Sequence, residues 1–471
     1  MKTFLSAWLE RLRTSYWFIP TLLAAAATAL SFLTVHADSL LNAKWVRATG
    51  WIWAGGPEGA RTVLATIAGS TITVAGVVFS VTIVSLTLAS SQFGPRLLRT
   101  FLNDRGTQLV LGVFVSTFLY CLLVLRTIRG TDAANFVPFL SVTVGLLFAV
   151  ASVAFLIFFV HHVSTSILAD NLIARVATEL REGIDRLYPE DAGRGGVQDA
   201  EPTEDDLPPR FAEEAEAVAA KASGYIDAIA MENLLALAKE EDLILRLCHR
   251  PGDFVAEGAT LAWLWPGAKS NEKIRARLCS AFYFGKERTR TQDLEYSIGQ
   301  LVEVAVRALS PGINDPFTAM TCIDWLGDAL IRLAGREIPS AWRYDDGQRL
   351  RIIAQTTGFG GIADAALDQI RQYGSKSVAV VLRLLETLAK VTPHLRRETD
   401  RAVLLVHARN IHADGCAQVQ NESDRAQIEE RFAVAEKALK KNQKPVSNTP
   451  ASDWRVESVV AGVGDPGGRA T

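Results

Sequence analysis

Hydrophobic and polar positions divide this chain unevenly. Four long tracts without a charged side chain fill its first third, and shorter apolar stripes set among charged residues fill the rest. The tracts run from Tyr16 to Val35, Thr62 to Pro95, Thr107 to Leu125 and Phe136 to Val160. Each has about the 20 residues a helix needs to cross a hydrocarbon core. They predict four membrane helices, at 16–35, 62–95, 107–125 and 136–160, in a transmembrane domain covering residues 1–160. The first is read as a retained anchor; Val35-His36-Ala37 resembles a cleavage site, but the leading segment is long and contains Glu10.

The second tract organises the reading. At about 1.5 Å per residue it would extend roughly 50 Å against a core of about 30 Å, so it must tilt, bend or project. On a helical projection Thr66, Ser70, Thr73, Ser80, Thr87 and Ser91 share an arc of about 100°, with Gly69 and Gly76 on its margin. Two readings stay open. Hydroxyls can replace part of a permeant species' hydration shell, which would make this a pore face. Small residues also let membrane helices pack closely, and Ser and Thr hydrogen-bond their own backbone, which would make it a packing face.

Past the fourth tract, Val163, Ile167, Leu172, Val176, Leu180, Ile184 and Leu187 continue a helical repeat. They predict an amphipathic stalk over 161–188 that either transmits movement to the spans or pairs with a neighbouring subunit. An acidic, Gly- and Pro-containing stretch over 189–209 reads as a flexible linker. Tyr225 to Ile229 alternates like a strand, Met231 to Lys239 like a helix, and Leu243 to Trp265 like two strands around a turn. This predicts a small β-α-β-β module over 210–270. A helical soluble domain follows over 271–440, then a disordered tail over 441–471. The fold class is therefore mainly α: a four-span transmembrane helical bundle followed by a mostly helical soluble domain containing the small module.

Charge sets the orientation. Lys2, Arg11, Arg13, Arg96, Arg99, Arg105, Arg175, Arg181 and Arg186 outnumber Lys44, Arg47, Arg61, Arg126 and Arg129, which predicts a multi-pass protein with both termini on the cytoplasmic side. Trp45, Trp51 and Trp53 mark an external loop at the interface. No span carries an acidic residue, which argues against a proton or sodium pump. Composition agrees with a membrane part: 49% of residues are hydrophobic and mean hydropathy is +0.16. A net charge of -2 gives no basic excess for nucleic acid. Five scattered cysteines form no Cys-x-x-Cys pair, and the histidines are poorly aligned, so neither metal nor cofactor is expected.

The most distinctive polar groups lie in the soluble half. Arg288 to Asp293 precedes one helix, and Arg307 to Thr318 joins it to the next, with Pro311 and Gly312 ending the first and Asp315 placed to cap the second. A helix start beside polar side chains suits an anion. Arg288, Gln292, Asp293, Arg307, Ser310, Asn314 and Asp315 are the ligand-binding candidates; the alternative is a capped corner that only fixes the helix angle. Acid–base chemistry by Asp293 and Asp315 would need folding to bring them together. No Ser-His-Asp order or phosphate loop stands out, and Gly358-Phe359-Gly360-Gly361 alone is weak evidence for one, so the sequence leans away from an enzyme.

The run Ala89 to Arg96, the block Arg288 to Asp293 and the block Ala308-Leu309-Ser310-Pro311-Gly312-Ile313-Asn314-Asp315-Pro316 resemble a bacterial family of predicted membrane proteins catalogued as domain of unknown function twenty-two fifty-four. The resemblance covers roughly Trp17 to Leu439. It implies an inner-membrane protein with a soluble C-terminal domain and carries no catalytic residues. The functional expectation is a channel-like or gated homo-oligomer in the lipid bilayer, its cytoplasmic domain sensing a small ligand or ion. The alternative is a non-transporting, membrane-anchored sensor or scaffold.

Overall fold

A computed structural model describes residues 17–40, 55–94, 104–131, 134–166, 168–188 and 207–441. The Trp-bearing loop, the turn with Arg96 and Arg99, the acidic segment between Glu190 and Asp206 and the tail from Asn442 lie outside them.

Four helices are long and apolar enough to cross a membrane: α1 (Phe18–Leu40), α2 (Pro57–Phe93), α3 (Arg105–Leu125) and α4 (Phe139–Ser166). A short antiparallel ribbon, β1 (Arg129–Thr131) with β2 (Ala134–Phe136), joins α3 to α4. α3 is the centre of the bundle; half of its apolar window is buried, against about a fifth for the others. Gly112 makes this possible, because a Cβ there would strike Leu23 and approach the Pro20 backbone of α1. Buried polar ties fix the packing. The Tyr120 hydroxyl lies 2.9 Å from Thr34 Oγ1 and donates to the Ser141 carbonyl at 3.1 Å.

The first span is longer than the tract 16–35 predicted, because α1 continues through His36 and Asp38 to Leu40. Asp38 there caps another helix. Its carboxylate accepts from the Leu140 and Ser141 N–H groups at 2.8 and 2.9 Å, at the start of α4. A sequence pattern that stops a span at its first polar residue cannot see this, since the partner is about a hundred residues away.

α2 resolves its excess length by projecting. At about 1.5 Å per residue its 37 residues extend roughly 55 Å, and its last turn, with Ala89 and Phe93, enters the core of the soluble domain.

The predicted continuous stalk is broken instead. α4 ends at Ser166 and a new helix, α5 (Ala169–Leu187), begins. Its stripe of Leu172, Val176, Leu180 and Ile184 is buried inside the same chain, so it pairs with the soluble domain and not with a neighbouring subunit. After the short α6 (Phe211–Glu214) come β3 (Glu216–Ala219), β4 (Gly224–Ile229), α7 (Met231–Glu240), β5 (Ile244–Leu247), β6 (Phe254–Val255), β7 (Thr260–Trp265), α8 (Glu272–Ser280) and β8 (Phe282–Gly285). The helical layer then contains α9 (Leu294–Ala308), α10 (Pro316–Ala334), α11 (Phe359–Gly374), α12 (Val378–Val391), α13 (Glu398–Gln418) and α14 (Glu422–Lys440). Between α10 and α11 lies a hairpin, β9 (Trp342–Tyr344) and β10 (Leu350–Ile353).

That hairpin corrects the expected module boundary at 270. It completes a five-stranded sheet in the order β3-β7-β5-β10-β9, with β10 parallel to β5, while β8 joins β4 and β6 in a second sheet of three strands. Burial of Ile352 and the ion pair of Arg351 with Asp242 at 2.7 Å dock it, while Arg351 also pairs with Asp345 of the hairpin's own turn at 2.8 Å.

The helical layer holds α5 in a defined register. Arg181 Nε donates to Asp328 at 2.7 Å and Arg332 grips Asp185 through two hydrogen bonds of 2.6 Å, both pairs spanning the same sequence separation of 147. α10 therefore runs parallel to α5. The Arg332 hydrogen bonds hold the Asp185 carboxyl below the usual carboxylate range.

Candidate functional site

The six predicted hydroxyl residues of α2, Thr66, Ser70, Thr73, Ser80, Thr87 and Ser91, are all exposed on the single chain. They look outward from the bundle. Leu64, Ile67, Ala68, Ala75 and Val78 take the inward face. Most of the outward hydroxyls donate to their own helix: Thr66 to the Thr62 carbonyl at 2.7 Å, Thr73 to Gly69 at 2.8 Å, Ser80 to Gly76 at 2.9 Å and Thr87 to Ile83 at 2.9 Å. Their protons are thus internally satisfied, while oxygen lone pairs stay directed outward. A Cβ added at Gly69 or Gly76 would meet no atom within 4 Å.

The seven polar candidates separate into two groups at opposite ends of α9. At its start, Asp293 caps the helix by accepting from the Tyr296 N–H at 3.2 Å, and Arg288 Nε donates to the same carboxylate at 2.7 Å. The Gln292 amide completes the edge of β4, accepting from Ile229 N–H at 2.9 Å and donating to its carbonyl at 3.3 Å. At the other end, Ser310 Oγ donates to the Arg307 carbonyl at 2.6 Å, and Asn314 takes a left-handed backbone with φ 50°. Asp315 caps α10, accepting from the Phe317 and Thr318 N–H groups at 3.1 Å each. The Thr318 hydroxyl and these amides hold its carboxyl below the usual range. The 15 residues of α9 put about 20 Å between the groups, so Asp293 and Asp315 cannot share a proton.

Arg307 belongs to a contact that sequence spacing could not show. Its Nη1 donates to the Ser91 carbonyl of α2 at 3.4 Å, and it lies 3.5 Å from Glu303. Gly94, which ends α2 with φ 109° and ψ 156°, packs against both side chains. The helix that lines up the outward hydroxyls is thereby clamped to α9.

Around Asp293 the structure adds residues that the reading of the sequence missed. Arg250, in the turn between β5 and β6, donates to Glu295 at 2.7 Å, and Gly252 of that turn packs directly on Asp293. Tyr188, at the end of α5, donates to the Thr357 carbonyl at 2.9 Å, and burial pushes its hydroxyl up to about 12. Beside this junction of module, stalk and helical layer is a cleft of about 530 Å³, lined by Glu179, Glu182, Arg186, Arg290, Thr291 and Ser297 among others. Arg290 pairs with Glu179 at 2.5 Å, and Arg186 donates to the Arg290 and Thr291 carbonyls at 3.1 Å each. Mixed charge of this kind suits a small polar ligand. Among the described residues no three His, Cys, Asp or Glu side chains gather as a metal site requires. The Arg250-Pro251-Gly252-Asp253 turn was legible as a turn, but nothing local says what it touches.

Fold and site define a membrane protein of four apolar helices followed by a mostly helical soluble domain that grips the longest of them. The chain belongs to the family described as predicted membrane protein, DUF2254, which matches residues 13–390. Uncharacterised proteins of Mycobacterium tuberculosis and Mycobacterium bovis are each 31% identical over 452 residues, covering 94% of this chain and 83% of the relative. No solved structure matches.

Proposed function

We propose that this chain forms a homo-oligomer of a bacterial inner membrane, with both termini cytoplasmic, in which copies of α2 surround a gated polar path. The observation that carries the reading is the outward hydroxyl face of α2: six Ser and Thr residues and two glycines that the described helices leave uncovered. Control by the soluble domain is supported by the contact of Arg307 with Ser91 and by the burial of Ala89 and Phe93 among the soluble helices. A shift of α9 would move the end of α2 with it. The cleft between α5 and the segment before α9 is the assigned signal site, for a small polar ligand or ion.

The test is conductance of the purified protein in planar bilayers. Replacing Thr73 by Leu and Ser80 by Phe is expected to change unitary current. Unchanged currents, or none under any condition, remove the path. The cleft also supports a second reading, an anchored sensor without transport; it predicts ligand binding that survives both substitutions and no current at all.

A further inference from the structure

The corner that joins α9 to α10 stands at the membrane end of the soluble domain, and two helix registers place it there. The pairs Arg181–Asp328 and Asp185–Arg332 share one offset, which brings Pro316, the first residue of α10, level with Ala169, the first of α5. α9 runs the other way. Leu294 at its start packs on Gly183, so its last turn returns to the start of α5 as well. α5 in turn begins within three residues of the end of α4, and the Asn171 side chain donates back to the Thr165 carbonyl at 2.7 Å.

The depth of that point follows from the length of α4. At about 1.5 Å per residue its 28 residues extend roughly 42 Å, against about 40–45 Å for a bilayer with its headgroups. Tilt only lowers the far end towards the hydrocarbon. The polar boundary of the bundle agrees, since the Asp104 carboxylate meets His162 Nε2 at 2.6 Å. Ser166 lies one helical turn beyond it, about 6 Å, which is about the depth of one headgroup layer. The start of α5, and the corner with it, therefore lies at headgroup level.

The corner has the chemistry of that level. Among the described residues Ile313 and Phe317 are 47% and 75% exposed, and Leu168, beside the start of α5, is 56% exposed. From Ser310 to Asn314 no side chain is charged, and the Asp315 carboxylate is taken by the Phe317 and Thr318 N–H groups. The backbone needs little water either. The N–H groups of Ile313 and Asn314 donate to the Ser310 carbonyl at 3.1 and 2.9 Å, that of Asp315 donates to the Ala308 carbonyl at 2.7 Å, and Pro311 and Pro316 have none. A turn with its donors used internally and its large apolar side chains outside suits the boundary between headgroups and acyl chains, where an unpaired N–H is costly.

We infer that the α9–α10 corner is a membrane-surface contact, with Ile313 and Phe317 seated in the headgroup layer of the bilayer that the four spans cross. Lipid is the occupant because the bilayer surface is continuous with the spans, and the length of α4 fixes its height at the corner. The contact requires neither a polar path nor an oligomer.

Spin labels on single cysteines read the contact in the full-length protein, reconstituted in vesicles of phosphatidylethanolamine and phosphatidylglycerol. Cys248, Cys279 and Cys416 are replaced by serine, and the buried Cys121 and Cys322 are kept. Each label is compared for collision with oxygen, which concentrates in lipid, and with a neutral nickel chelate, which stays in water. V153C, at an exposed position within α4, is the lipid reference, and V434C, at an exposed position on α14, is the water reference. Phe317 is three-quarters exposed, so F317C is expected to keep the parent's unfolding temperature. The oxygen-to-nickel ratio at I313C and F317C is expected to stand several-fold above that at V434C, approaching V153C. A ratio equal to that at V434C puts the corner in water and overturns the contact. Low collision with both reagents puts the corner under protein, either a second copy or residues 95–103, and overturns it too.

Discussion

Gly94→Ala isolates the joint between span and soluble domain. Gly94 ends α2 at φ 109° and ψ 156°, a region that is essentially confined to glycine, and its N–H still donates to the Ser90 carbonyl at 3.2 Å. Holding a non-glycine residue there costs about 1–3 kcal/mol. The added methyl would also collide with the Glu303 carboxylate and come within 3.1 Å of Arg307 Nε, so both side chains must move. The Glu303 side chain is flexible, so the backbone term dominates. Spread over a soluble domain of some two hundred residues, the loss lowers the unfolding temperature by about 2–12 °C. Differential scanning fluorimetry in detergent measures that shift. Hydrogen exchange should show faster exchange over Ala89 to Phe93, because the clamp of Arg307 on Ser91 loosens. An unchanged unfolding temperature with unchanged protection at the end of α2 would refute the claim that this glycine sets the joint.

Other expectations follow from the same packing. Leu180→Ala, at a fully buried position where α5 enters the soluble core, should destabilise by about 2–5 kcal/mol in denaturant titration, whereas Val434→Ala at an exposed position should stay within about 0.5 kcal/mol. Asp315→Ala removes the cap of α10 and should cost about 1 kcal/mol, with Asp315→Asn recovering most of it. Asp185 has its carboxyl depressed by Arg332, so its contribution is complete above the unfolded-state value of about 3.9 and is lost as pH falls through the lower native value. Unfolding temperature recorded from pH 6 to pH 3 should therefore fall less steeply for Asp185→Asn than for the parent, and parallel curves would contradict the assignment.

Much of the architecture was legible because its physics is local. Four uncharged tracts of sufficient length specify membrane helices whatever surrounds them, and Asp315 followed by Pro316 specifies a helix start from two residues. The hairpin of β9 and β10 carried a signal that was passed over: Asp346-Gly347 between Trp342-Arg343-Tyr344 and Leu350-Arg351-Ile352-Ile353 is a turn between alternating strands. Its place beside β5 carried none, since that depends on Arg351 reaching Asp242 across the fold.

The sequence by itself determined the membrane character, the amphipathic stripe of α5 and the hydroxyl stripe of α2, because each is a periodicity along one helix. Only the tertiary structure decided what those stripes meet. The stripe of α5 is buried by α9 and α10 of its own chain, while that of α2 is left open by the described residues, and the two polar blocks stay a helix length apart with no fold-back to join them. A helix states which of its faces are alike; which face finds a partner depends on the packing of segments far away in the chain.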